Sequence, residues 1–139
     1  MCAISFRNDF SIYILEIGDY TNLASWKLIE QFRVFNGDVN NLKWSSTDKL
    51  LATSLDNNAI VVEKENGKKW TSNLIVMNRQ YRTLMTMAWA KDGEKFALAG
   101  GNRALYIGKK NEKTGLFETQ ALEKCTHFWV FIFSRSHFS

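Results

Sequence analysis

The residue types most able to do chemistry gather at one end of the chain. His127 and His137, its two histidines, stand with Cys125 in the stretch from Cys125 to Ser139, which holds no acidic residue. A Cys–His nucleophile needs its base within hydrogen-bond reach and a further group to orient that base. A closed zinc site needs four ligands, and only three candidates are present. No catalytic residue, metal or cofactor is therefore expected, and the chain reads as a non-enzyme.

Four other groups of residues invite a chemical reading. Gly100-Gly101-Asn102 resembles a phosphate cradle, but such a loop should follow a strand and open a helix, so that backbone N–H groups and the helix dipole meet the anion. Here it lies between two predicted strands, so a hairpin is expected. Trp44 and Trp89 could stack on nucleic-acid bases, but their equivalence within a repeat favours core positions packed between structural units. Asp56 is expected to stabilise a turn through its own backbone. Arg79 and Arg82 join an outer strand to the next inner one, where they either face a partner or form ion pairs within the loop.

These residues are carried by a repeat, and Asp38 to Met77 is its clearest copy. Asp38 to Ser45 places Leu42 and Trp44 on one face of a short strand, and Ser46-Thr47-Asp48 supplies a turn. Lys49 to Ser54 is the second strand. Asp56-Asn57-Asn58 suits a tight return into a third, Ala59 to Glu63, and Asn66-Gly67 leads to a fourth, Lys68 to Met77.

The next copy, at a spacing of 45, sets Trp44 on Trp89, Leu51 on Phe96, Ala52 on Ala97, Ile60 on Leu105 and Val62 on Ile107. Its predicted strands are Thr83 to Ala90, Glu94 to Ala99, Arg103 to Lys109 and Leu116 to Leu122. The segment from Met1 to Phe35 reads as a copy lacking its first strand. In it Cys2 to Ser5, Phe10 to Glu16 and Ser25 to Val34 are strands, Asp9 matches Asp56, Tyr13-Ile14-Leu15 matches Ile60-Val61-Val62, and Trp26 matches Trp70.

A period of roughly 40–45 residues, four strands per period and a tryptophan closing the first strand are the marks of a WD40-type β-propeller. The expected fold is all-β: an incomplete propeller with about three four-stranded blades of an expected seven. Residues 1–35, 38–77 and 82–122 are the blades, and 125–139 is an atypical tail. Each blade needs a neighbour on both faces, so stability should come from stacking. Unmatched end faces predict marginal solubility.

Composition narrows the partners. Hydrophobic residues make up 45% and charged residues 23%, a globular balance. The net charge of +4 is mild, and Lys68-Lys69 and Lys109-Lys110 flank predicted hairpins, where solvated lysines discourage edge pairing. Nucleic acid is not an expected partner, since that would call for a dense basic stripe. Two distant cysteines suggest a reduced, intracellular protein, and no signal peptide or membrane span is expected. Proline is absent altogether, which has no evident physical reason. Phe128 to Phe133 is apolar, uncharged and rich in strand formers, an aggregation hazard if exposed. The tail is expected to be an out-of-frame or intron-derived end; a docking peptide and an edge strand on the third blade are the alternatives.

The run Asn36-Gly37-Asp38-Val39, with Leu42-Lys43-Trp44, Asp56-Asn57-Asn58, Lys69-Trp70-Thr71, Leu74 to Met77, Arg79, Arg82, Trp89 and Lys95-Phe96-Ala97, resembles the amino-terminal part of the subunit 1 family of the actin-related protein 2/3 complex. The resemblance covers Cys2 to about Lys124. It implies a propeller scaffold that holds the other subunits of that complex together, acts with actin filaments in branched nucleation, and resides in the cytoplasm on the actin cytoskeleton. Two departures stand out. The Trp-Asp dipeptide is replaced by Val62-Glu63 and Ile107-Gly108, and the later blades and filament-contacting insert are not in this sequence. A generic WD40 module binding a peptide or nucleic acid is the alternative.

Overall fold

A computed structural model describes residues 1–77, 84–101 and 104–122. Among these residues, eleven strands form three antiparallel sheets. The first sheet is β1 (Cys2–Ser5), β2 (Ile12–Glu16) and β3 (Lys27–Phe32), with a single 3-10 turn at Leu23–Ser25 before β3. The second runs β4 (Val39–Trp44), β5 (Leu50–Ser54), β6 (Ala59–Glu65), β7 (Lys69–Leu74), and the third β8 (Leu84–Trp89), β9 (Lys95–Gly100), β10 (Leu105–Lys110), β11 (Phe117–Ala121). Neighbours in each sheet are consecutive in sequence, so every connection within a sheet joins antiparallel neighbours, and β3–β4 and β7–β8 pass from one sheet to the next. The architecture is an incomplete β-propeller-like fold.

The turns follow the residue types expected to make them. Asp48, Asn57 and Asn66 take positive φ values of 57°, 66° and 50°, a region that asparagine and aspartate tolerate better than other non-glycine residues. Gly93, at φ 72°, is held on two counts: a Cβ there would also lie 2.7 Å from the Thr47 hydroxyl.

Two apolar clusters fill the gaps between sheets. Ile12, Ile14 and Phe35 pack against Leu50, Ala52, Ile60, Val62 and Trp70 between the first and second blades. Leu51, Val61 and Ile75 pack against Met87, Trp89, Phe96, Leu98, Tyr106 and Phe117 between the second and third. Alternation explains the sorting. Successive strand residues point to opposite faces, so Leu50 and Ala52 look back to the first blade while Leu51 looks forward to the third.

That alternation corrects the repeat alignment. Trp44 pairs with Leu50 but Trp89 pairs with Phe96, so the spacing is 45 at the tryptophans and 46 in the next two strands. The cause is the first turn, closed from Ser45 N–H to Lys49 in one blade and from Ala90 N–H to Lys95 in the other, one residue longer. Phe96 is therefore the counterpart of Leu50, Leu98 of Ala52, Tyr106 of Ile60 and Gly108 of Val62. A slip of one residue exchanges the two faces of a strand, so the uniform spacing of 45 would have put Phe96 on the wrong side of its sheet. The place of the Trp-Asp dipeptide in the third blade moves with it, to Gly108-Lys109. The first-blade alignment agrees with the pairing: Ala3 opposes Ile14 as Leu51 opposes Val61.

The fourth strand of the second blade is shorter than expected. It stops at Leu74, because Val76 leaves the sheet and pairs in parallel with Glu118 of the third blade. Val76 N–H donates to the Phe117 carbonyl at 2.8 Å, and Thr119 N–H donates to the Val76 carbonyl at 3.2 Å. The chain thus laces two outer strands together before it crosses over.

Candidate interaction surface

The tryptophans singled out by the repeat occupy equivalent places with different surroundings. Trp89 is 1% exposed, meets Phe96 edge-to-face at 5.6 Å, and donates from its indole Nε1 to the Lys43 carbonyl of the preceding blade at 2.9 Å. Trp44 is half-buried and meets Trp70 edge-to-face at 5.8 Å. Its Nε1 has no hydrogen-bond acceptor among the described residues. Trp70 is buried, with the Lys64 ammonium 5.1 Å over its ring, and Lys110 lies over Phe117 in the same way at 5.4 Å. Trp26, the first-blade counterpart of Trp70, is half-buried just before β3, its Nε1 donating to the Asp19 carbonyl at 3.1 Å. None of Trp44, Trp70 and Trp89 forms an open stacking platform.

Asp56 organises the loop end of the second blade. Its carboxylate accepts from the Ser54 hydroxyl, from Asn58 N–H at 3.3 Å and from Asn36 N–H in the incoming linker at 2.8 Å. Burial pushes the carboxyl pKa up, and these hydrogen bonds more than offset it, leaving it below the usual value. Nearby, Asp38 accepts from Asn8 N–H of the first blade at 2.6 Å.

The second and third blades are keyed together by more than apolar contact. Asn40 Nδ2 donates to the Leu84 carbonyl at 2.9 Å, Ser46 to the Lys91 carbonyl and Thr47 to the Gly93 carbonyl, both at 3.0 Å. Ion pairs Lys49–Glu94 at 2.6 Å and Lys110–Glu63 at 2.5 Å cross the same seam. Sequence reasoning missed these pairs. Their charges sit 45 and 47 residues apart, and only the blade stacking brings them together.

The first blade presents its opposite face outward. Cys2, Ile4, Tyr13, Leu15 and Leu28 lie on it, with Leu28 57% exposed. Tyr13 Oη donates to the Asp9 carboxylate at 2.5 Å and accepts from Gln31 Nε2 at 3.2 Å. The Asp9 hydrogen bond holds the phenol pKa above its usual value. Phe6 stacks edge-to-face on Tyr13 at 5.6 Å. This mixed aromatic and polar face is a candidate interaction surface.

Arg79 and Arg82 lie outside the described residues, as do Asn102 of the glycine turn and Cys125, His127 and His137 of the tail. Among the described residues, no group of three His, Cys, Asp or Glu side chains is placed to hold a metal ion. No described helix is long and apolar enough to cross a membrane.

No family model and no curated protein matches this chain. Among solved structures, it is similar to a crystal structure of a protein from Lactobacillus plantarum determined by a structural genomics consortium. That match has a TM-score of 0.63 at 10% identity, covering 91% of this chain and 40% of that one. The likeness is one of fold. This chain spans about 40% of the length of the structure it matches.

Proposed function

We propose that this chain is a non-catalytic scaffold of the kind found in subunit 1 of the actin-related protein 2/3 complex, with WD-type repeats that support assembly for branched actin nucleation. The observation that favours this reading most is the resemblance from Asn36 to Ala97, whose described residues fall on successive blades of a propeller-like stack. Trp44, Trp70 and Trp89 serve that stack, Asp56 fixes the linker into the second blade, and the functional work belongs to surfaces. The partners on this reading are the other subunits of the complex and actin filaments, in the cytoplasm and on the actin cytoskeleton. On this reading Arg79 and Arg82 are the candidates for contact with a partner, with ion pairing inside their loop as the alternative.

Affinity purification of the chain in its longest expressed form tests this. The two actin-related proteins and the smaller subunits should be recovered together, and recovery of none of them would refute the reading. Salt-sensitive retention on nucleic acid at physiological ionic strength would instead favour a generic repeat module.

A further inference from the structure

The sequence holds two Asn-Gly pairs, Asn36-Gly37 and Asn66-Gly67. An asparagine before glycine is open to attack on its own side-chain amide, because glycine has no side chain to shield the backbone nitrogen that attacks. The two pairs are alike in sequence and opposite in setting.

Asn66-Gly67 forms the tip of the β6–β7 hairpin. Both residues are exposed, at φ 50° and 68°, and Lys68 N–H closes the turn on the Glu65 carbonyl at 3.0 Å. A Cβ on Gly67 would meet nothing within 4 Å. Among the described residues, neither the Asn66 amide nor Gly67 N–H has a hydrogen-bond partner. Open space therefore lets Asn66 turn about its Cα–C bond until the Gly67 nitrogen reaches its Cγ. Lys64, Lys68 and Lys69 outnumber Glu65 around the tip, all four exposed. Their positive charge favours the anion formed when Gly67 N–H gives up its proton.

Asn36-Gly37 is pinned against the second blade. Asn36 N–H donates to the Asp56 carboxylate at 2.8 Å, and a Cβ on Gly37 would lie 2.9 Å from the Asp56 nitrogen. The next residue is held on both sides: the Asp38 carbonyl accepts from Leu55 N–H at 2.9 Å and its carboxylate from Asn8 N–H at 2.6 Å. Ring closure at Asn36 would pull the linker away from these contacts, and the Asp56 carboxylate opposes an anion on the Gly37 nitrogen.

We propose that Asn66 is a site of spontaneous deamidation in the folded protein, and that the Asp56 network shields Asn36 from the same reaction. The Gly67 nitrogen passes its proton to water and bonds to Asn66 Cγ. The Cγ–Nδ2 bond breaks, and ammonia leaves after taking up a proton. Water then opens the resulting succinimide at either of its carbonyls, giving aspartate or isoaspartate at this position. Water is the sole co-reactant. Either product sets a new carboxylate among Lys64, Lys68 and Lys69, and isoaspartate also adds a methylene to the main chain of the turn. The hairpin tip is thus the part of the second blade that changes with time. The site does not depend on which assembly the chain joins.

The test incubates the full chain at mildly alkaline pH, both native and in urea. Peptides spanning each pair are followed by mass spectrometry with electron-transfer fragmentation, which separates aspartate from isoaspartate. In the native chain, conversion at Asn66 should outrun that at Asn36 by at least about ten-fold, the rate equivalent of the charge-assisted hydrogen bond that must break at Asn36. In urea the two rates should converge, since the shared Asn-Gly sequence then sets both. Asp56→Ala, checked by circular dichroism to be folded, should raise the rate at Asn36 and leave that at Asn66 unchanged. The proposal is overturned if Asn66 keeps its amide in the native chain, if Asn36 converts as fast or faster there, or if urea leaves the ratio unchanged. A folded Asp56→Ala chain with Asn36 still protected would overturn the shielding.

Discussion

Gly108 offers the sharpest test of the blade correspondence. In the second blade Leu50 opposes Val62, two side chains of middling size; in the third the same site holds Phe96 opposite Gly108. The volumes have been redistributed across the pair. A Cβ on Gly108 would lie 2.2 Å from Cε2 and Cζ of Phe96, far inside van der Waals contact with the ring. Phe96 has no route of retreat, being fully buried between Trp89 at 5.6 Å and Phe117 at 6.4 Å.

Gly108→Ala should therefore cost about 2–3 kcal/mol as overpacking, partly offset by the ~0.5–1 kcal/mol that alanine gains over glycine in a strand. The net loss of about 2 kcal/mol would lower the urea midpoint by roughly 1–2 M at the slopes typical of small domains. Phe96→Leu alone should cost about 1–2 kcal/mol through the cavity it opens. In the double variant Gly108→Ala/Phe96→Leu the leucine leaves room for the added methyl, restoring the arrangement of the second blade. The double should then be more stable than the sum of the single losses predicts, by at least about 1 kcal/mol. A neutral Gly108→Ala, or strictly additive losses in the cycle, would refute the correspondence of Gly108 with Val62.

Two further predictions rest on the same seams. Trp89→Phe removes the indole donor to the Lys43 carbonyl and loses buried apolar area, so it should destabilise the chain by about 2–3 kcal/mol. Trp44→Phe removes no hydrogen bond seen among the described residues and should cost about 1 kcal/mol or less, which chemical denaturation of the two variants will compare. Asp56 sets an acid limit: its folded pKa lies below the unfolded value, so between the two the unfolded chain binds more protons and stability rises with pH. Its contribution is present above about pH 4, the unfolded value, and is lost as the pH falls through the folded one. Asp56→Ala should cost about 1–2 kcal/mol at neutral pH and flatten part of the acid limb in denaturation curves recorded from pH 2 to 7.

The strands were largely legible in the sequence because their signals are local. Alternation of apolar residues, Asp-Asn-Asn and Asn-Gly turns and a recurring tryptophan each act over a few residues, and they located every described strand to within a few positions. The repeat also correctly paired Tyr13-Ile14-Leu15 with the third strand of the second blade. The candidate surface was less legible. Tyr13 and Asp9 were placed by the repeat, but their hydrogen bond, and the unequal settings of Trp44 and Trp89, depend on which blade stands next to which.

Sequence by itself determined that this chain is all-β, built of stacked antiparallel sheets of three or four strands, because hydrophobic periodicity and turn chemistry are short-range and survive without knowledge of the neighbours. Tertiary structure decided the register. One additional residue in the turn after Trp89 reverses which face Phe96 presents, and no local propensity distinguishes the two faces of a strand that is apolar on both. Stacking alone reveals that Gly108 makes room for Phe96, that Lys49 meets Glu94, and that Trp44 carries an indole N–H where its counterpart Trp89 has found a carbonyl.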